Sequence, residues 1–240
     1  MTPYIFKGVV LPERASITIG PLRSKFFHPT TGNVGECKLN IVLNQITAWI
    51  YSEADWDIYD LRNIVEQMVL DILSIIGFLK GYAYDVDIRQ VLNEDKEIDY
   101  VFGIDIPCLE DRNRAIDVGS KLREMLPQLA GDGGMFIKRC LNDLTMAMKR
   151  PGDTGFYCFR AIETLRQYCK NHYNLVSEAD QWQQLSKITG YGKDYMEVVR
   201  EFARPSRHGD AMPITSQDRE KIFMKTWDIV EAFFKNIESS

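Results

Sequence analysis

No uninterrupted apolar stretch long enough to cross a bilayer runs through these 240 residues: the most apolar segment, residues 64–79, carries Glu66, Gln67 and Asp71. The opening Met1-Thr2-Pro3-Tyr4 lacks a basic region followed by an apolar core, so no secretory leader is expected. The reading is a soluble, cytoplasmic protein with no membrane partner. Cysteine is sparse and odd in number. Cys37, Cys108, Cys140, Cys158 and Cys169 are scattered, with no CxxC pair and no histidine at zinc-finger spacing. Neither a disulfide framework nor a structural metal is expected, only buried free thiols. A net positive charge is missing too: the formal value is -5. Attraction for a polyanion must therefore come from a local cluster. Histidine is the scarcest group that titrates near neutral pH, with only 3 residues.

The apolar fraction, 45%, is that of a globular chain able to build a core without staples. Its patterning changes once along the chain. Tyr4 to Leu11 and Ile17-Thr18-Ile19 are rich in β-formers, and a Pro- and Gly-punctuated loop through His28, Pro29 and Gly32 leaves His28 exposed. Cys37 to Leu43 and Ile46 to Tyr51 alternate as a hairpin about Asn44-Gln45. From Ile58 the period becomes helical: Leu61, Ile64, Val65, Met68, Ile72, Ile75, Ile76 and Leu79 recur at three- and four-residue steps, with Asp55 and Asp57 as capping acids. Two more alternating segments follow, at Tyr84 to Arg89 and Tyr100 to Ile106. Asp85, Asp87, Asp99 and Asp105 are of a type that ligates hard cations, but carboxylates alternating along the wet face of a sheet need no metal. No metal or other cofactor is expected.

After Pro107 the pattern is helical, over residues 111–126, 135–150, 154–173, 180–188, 191–203 and 217–238, with breaks at Pro127, Gly131 to Gly134, Pro151-Gly152 and Gly190. The Gly131-Asp132-Gly133-Gly134 run lacks the Lys-Ser/Thr ending of a P-loop and has no strand before it, so it reads as a flexible helix connection. The expected class is α+β. An N-terminal antiparallel sheet with one long packed helix occupies residues 1–108, and an all-α unit occupies residues 109–240.

The densest chemistry lies near the end of the chain, where Arg200, Arg204 and Arg207 approach His208. At about 100° per residue a helix would place these four with Glu197 and Glu201 opposite Tyr195, Val198, Val199 and Phe202. Pro205 removes a backbone donor and disfavours helix at Arg204, so the helix is expected to end at Ala203. Upstream, Arg160, Glu163 and Arg166 are spaced for a local salt-bridge set, able instead to hold Arg204 or His208 of a neighbouring helix. The final helix has an N-cap-like Thr215-Ser216-Gln217-Asp218 and a broad face of Ile222, Phe223, Trp227, Val230, Phe233, Phe234 and Ile237, wide enough for internal packing plus a dimer contact.

The stretch Phe156-Tyr157-Cys158-Phe159-Arg160-Ala161-Ile162-Glu163-Thr164-Leu165-Arg166, followed by Arg204-Pro205-Ser206-Arg207-His208-Gly209 and a last amphipathic helix, resembles the HEPN superfamily of prokaryotic helical domains over residues 109–240. The resemblance implies a bundle that forms a homodimer. It implies a metal-independent ribonuclease of defence or toxin–antitoxin systems, with Arg204 and His208 as the motif pair, Arg207 beside them, Arg200 as a substrate contact, and Arg160 and Glu163 in support. The interval to His208 is shorter than the family's when counted from Arg204 and longer when counted from Arg200. The alternative is a non-catalytic interaction or regulatory module, with a partner protein in place of RNA. The N-terminal unit carries no assignable motif.

Overall fold

The computed structural model describes residues 2–28, 31–208 and 214–237, which divide into two compact units, residues 1–104 and 105–240. The expected boundary at residue 108 is drawn at Ile104. Pro29 and Thr30 of the early loop, Gly209 and Asp210 of the motif, Pro213 and Glu238 lie outside the described residues. The architecture is α+β: six strands and one long helix, then seven helices among the described residues.

In the first unit β1 (Tyr4–Leu11), β2 (Ile19–Phe27), β3 (Val34–Val42), β4 (Gln45–Tyr51), β5 (Asp85–Asn93) and β6 (Ile98–Val101) form one antiparallel sheet in the order β2-β3-β4-β1-β5-β6. Alternation explains its two faces. Phe6, Cys37, Leu39, Ile41, Ile46, Ala48 and Ile50 are buried, whereas their neighbours Lys7, Lys38, Asn40, Thr47 and Trp49 are on the other side. The buried face packs with Leu61, Val65, Val69 and Leu73 of α1 (Ile58–Lys80).

That stripe differs from the expected one. Val69 and Leu73 are in it, while Ile75 and Leu79 are 63% and 74% exposed. The helix is apolar on more than one side, so spacing alone does not say which side meets the sheet. Asp57 alone caps it, accepting from the amides of Tyr59 and Asp60 at 2.9 and 3.0 Å, while Asp55 pairs with Lys96.

Strand bounds moved for local reasons. β2 runs on to Phe27, and β6 stops at Val101, beyond which Phe102 is buried and Ile104 fully exposed. In β5, Lys7 pairs with Gln90 and Gly8 with Ile88, so Arg89 is an extra residue, a bulge that breaks the alternation. The hairpin turn is Leu43-Asn44, both left-handed (φ 47° and 68°), one position earlier than expected. Asn44 occupies it because its buried amide ties two segments together. Its Oδ1 accepts from the Ile17 amide at 2.6 Å, and its Nδ2 donates to the Glu13 carbonyl at 2.5 Å. His28 is packed rather than exposed, its ring 5.8 Å from Trp56 and its Nε2 3.8 Å from Asp60.

The second unit contains α2 (Pro107–Asn113), α3 (Val118–Ala130), α4 (Gly134–Lys149), α5 (Thr154–His172), α6 (Glu178–Thr189), α7 (Lys193–Arg207) and α8 (Ser216–Asn236). The single helix expected over residues 111–126 is therefore two. Pro127 does not end α3, because the chain needs only its last turn beyond it. Residues 131–134 connect helices with Gly131 and Asp132 exposed, while Gly133 is closely packed: a Cβ on it would lie 1.9 Å from the Tyr168 ring.

Central to the unit is α5, whose Cys158, Phe159, Ala161, Ile162, Leu165 and Cys169 are buried against neighbours on α4, α6, α7 and α8. Gly155 lets α7 approach α5 closely, since a Cβ there would come within 2.7 Å of the Phe202 carbonyl. The face of α8 is used inside the unit: Ile222, Phe223, Val230, Phe233, Phe234 and Ile237 are buried and Trp227 is partly covered. Thr215 caps α8, accepting from the Asp218 amide at 3.1 Å.

Candidate nucleic-acid interface

The stretch that carries the arginines stays helical through Pro205, against the expectation that it would stop at Ala203. Proline lacks a donor for the carbonyl four residues back, here that of Glu201. Glu201 is exposed and lies in the second-last turn, where solvent can satisfy its carbonyl. The helix ends with the His208 amide donating to the Pro205 carbonyl at 2.9 Å. Met196, Val199 and Ala203 anchor α7 to the core. Arg200, Arg204, Arg207 and His208 are all exposed, and Arg204 and His208 stand four residues apart on one side.

The arginines are not equivalent. Arg200 donates to both carboxylate oxygens of Glu197 at 3.1 Å. Arg207 lies 3.7 Å from Glu163 of α5, with its guanidinium 5.8 Å from the Phe159 ring centre. Both line a cleft of about 310 Å³ between α5, α6 and α7, together with Phe159, Glu163, Trp182 and Lys193. Glu178 and Glu197 also line it, so its three cations face three carboxylates. Arg204 and His208 are not among its lining residues. They make no ion pair among the described residues.

The α5 side chains do not pair with one another, as their spacing suggested. Arg160 turns to Asp143 of α4 and lies over the rings of Phe156 and Tyr157, at 5.2 and 4.9 Å. The Asp143 hydrogen bond holds Arg160 above its ordinary pKa. Arg160 therefore belongs to the α4–α5 contact and not to the arginine cluster. Arg166 donates to Gln181 at 2.8 Å and lies 3.5 Å from Glu178 and 5.2 Å from the Trp182 ring centre. Trp182 stacks on Phe159 at 6.2 Å and donates to Glu178 at 3.2 Å. Of Arg160, Glu163 and Arg166, only Glu163 reaches the motif, through Arg207. His172 stacks on Tyr168, 5.2 Å away.

Spacing gave no sign of Asp143, Glu178, Trp182 or Lys193, because their roles come from packing between helices. A second network was equally hidden: Tyr195 donates to Asp228 at 2.5 Å, and Arg112 reaches Asp228 and Glu231 at 2.7 Å each. Desolvation first, then the Asp228 hydrogen bond, raises the Tyr195 phenol pKa, so it stays protonated.

Burial pushes the pKa of Cys158 and of Cys169 up to about 12 and raises those of Cys140 and Cys108, which favours the protonated thiols near neutral pH. In the first unit burial takes Cys37 to about 11. Among the described residues no group of three or more His, Cys, Asp or Glu side chains is placed to hold a metal ion, and no helix is long and apolar enough to cross a membrane.

Residues 4–102 match the N-terminal domain, and residues 122–238 the C-terminal domain, of DUF8168, a domain of unknown function. The two matches follow the division of the fold, and α2 lies in the interval between them. No curated protein and no solved structure matches the chain.

Proposed function

We propose that the helical unit is a HEPN-like RNA-binding domain that cleaves RNA without a metal ion, working as a cytoplasmic homodimer in a defence or toxin–antitoxin setting. One observation supports this reading above others: α7 continues through Pro205, which sets Arg204 and His208 one turn apart, exposed, with Arg207 beside them. An imidazole can accept the proton of a ribose 2′-hydroxyl as that oxygen attacks the adjacent phosphorus. Guanidinium groups at Arg204 and Arg207 would hold the phosphate and offset the charge that builds on it. The P–O5′ bond breaks, the 5′-oxygen takes a proton from water, and a 2′,3′-cyclic phosphate remains. Arg200 lies two turns upstream of His208 and would contact substrate rather than the reacting atoms.

The test is incubation of structured and single-stranded RNA with the full chain in EDTA, beside His208→Ala. The expected result is cyclic-phosphate ends from the parent protein and a loss of at least about 100-fold in the variant. Equal cleavage by both, or none by either, overturns the catalytic reading. One observation favours a second reading, a non-catalytic module for a partner protein: Arg200 and Arg207 already face Glu197 and Glu163, as they would in a surface built for mixed-charge contacts. Co-purification of a stoichiometric protein that is released by Arg207→Glu, with no cleavage by the parent, would establish it.

A further inference from the structure

The six-stranded sheet has one face packed with α1 and another that is partly open, with Val9 buried and Lys7, Arg23 and Lys25 exposed, and pairing register shows what the second face carries. One row across the strands reads Arg23, Lys38, Trp49, Ile5. The row toward the Phe27 end is Lys25, Glu36, Tyr51, and beyond it Phe27 pairs with Val34. On the other side the row is Asn40, Thr47, Lys7, Gln90. From β2 to β1 the face thus holds the cations Lys7, Arg23, Lys25 and Lys38 and the carboxylate Glu36, which is 3.1 Å from Arg23. Three aromatic rings lie among them. Phe27 is 68% exposed, Tyr51 36%, and Trp49 is partly covered by the Lys38 ammonium 5.0 Å from its ring centre. Acids Asp85, Asp87 and Asp99 lie at the β5–β6 end.

This polarity runs against the net charge of -5 for the chain. Phe27 and Val34 exposed beside lysines lose no stability if they gain a flat apolar partner, and bare charge alone would not require rings. We propose that this face binds single-stranded RNA. Unpaired bases stack on Phe27, Tyr51 and Trp49, while Lys7, Arg23, Lys25 and Lys38 lie along the phosphates. Trp49 and Tyr51 are two residues apart on one strand, roughly 7 Å, so successive splayed bases meet them in turn. Duplex RNA, whose bases face inward, has only its phosphates to offer here. The choice of RNA as the polyanion rests on the function proposed above; the site is separate from the α7 residues.

The test uses the full chain and a labelled 2′-O-methyl single strand, which has no free 2′-hydroxyl and so reports binding whether or not the protein cleaves RNA. Fluorescence anisotropy at low salt is expected to show binding that the pair Lys7→Glu and Lys38→Glu weakens at least about tenfold, with a shallower salt dependence. Phe27→Ser, at an exposed edge position, is expected to weaken it about five- to tenfold. Circular dichroism of each variant separates lost binding from lost folding, and Lys25→Glu, fully at the surface, serves if the double variant unfolds. Absence of binding by the parent, unchanged affinity in the folded lysine variants, or equal affinity for polyphosphate, which has no bases, overturns the proposal. Unchanged binding of the uncleavable strand by folded lysine variants that still cleave native RNA would sink this face alone; binding without cleavage would sink the catalytic reading alone.

Discussion

The cations of the two units meet acids to different degrees: in the first unit Arg23, Arg89 and Lys96 pair with Glu36, Asp87 and Asp55, while others stay unpaired. On the sheet, Lys7 and Lys25 make no ion pair among the described residues, and β-register spaces them along a face. In the helical unit Arg112, Arg160, Arg166, Arg200 and Arg207 each face a carboxylate. Period decides this. A strand sends alternate residues to a side where partners are two or more residues away, whereas helices packed on one another bring acids from another element to each long side chain. A paired cation is oriented but partly neutralised; an unpaired one is free to meet a ligand. Arg204 and His208 resemble the sheet's unpaired lysines in being exposed and outside the cleft.

The largest test of the paired side is Asp143→Ala. Asp143 is nearly fully buried, and removing it strands Arg160 between Phe156 and Tyr157. With Arg160 about a third exposed, the loss is expected near 2–3 kcal/mol rather than the full cost of a buried pair, read by urea unfolding. Asp143 Oδ2 and Arg160 Nε have no hydrogen-bond partner, so Asp143→Leu with Arg160→Met should recover most of that loss. A single-variant loss below about 1 kcal/mol would break the contrast between the units.

These pairs also mark where sequence reasoning ends. The β-formers of β1, alternation in β3 and β4, the stripes of α5 and α8 and the caps at Asp57 and Thr215 are local properties, and local pattern predicts them. The partner of Arg160 is 17 residues away on another helix, and i,i+3 spacing to Glu163 gives a wrong answer because a nearly fully buried acid outcompetes a partly exposed one. Pro205 misleads for a different reason: proline is costly in a helix interior but tolerated where the freed carbonyl is wet. The bulge at Arg89 shifts faces in β5 without leaving a sequence signal. The site residues were therefore visible as residue types, but which of them share a cleft was set by packing.

A smaller effect is expected from Glu163→Gln, which removes the carboxylate facing Arg207 at 3.7 Å. Both side chains are partly exposed, so stability should change by less than about 0.5 kcal/mol. Affinity for the uncleavable RNA strand should rise about two- to fivefold, since Arg207 no longer has to leave an acid. Weaker binding would mean that Glu163 holds Arg207 in its useful position, and pairing would then prepare the cation instead of masking it.

The smallest effect belongs to an acid whose partners are backbone groups. Asp117 caps α3, accepting from the amides of Gly119 at 3.1 Å and Ser120 at 3.4 Å and from the Ser120 hydroxyl at 2.6 Å. The Ser120 hydroxyl, ahead of the amides, lowers its pKa below 3.8. A lowered folded-state pKa adds stability above the unfolded value, and that share is lost as pH falls through the folded one. The Ser120 amide shift should titrate with a midpoint below 3.8 and become flat in Asp117→Asn, which keeps an acceptor but no titrating group. A midpoint at or above 3.8 would show that the cap is open in solution.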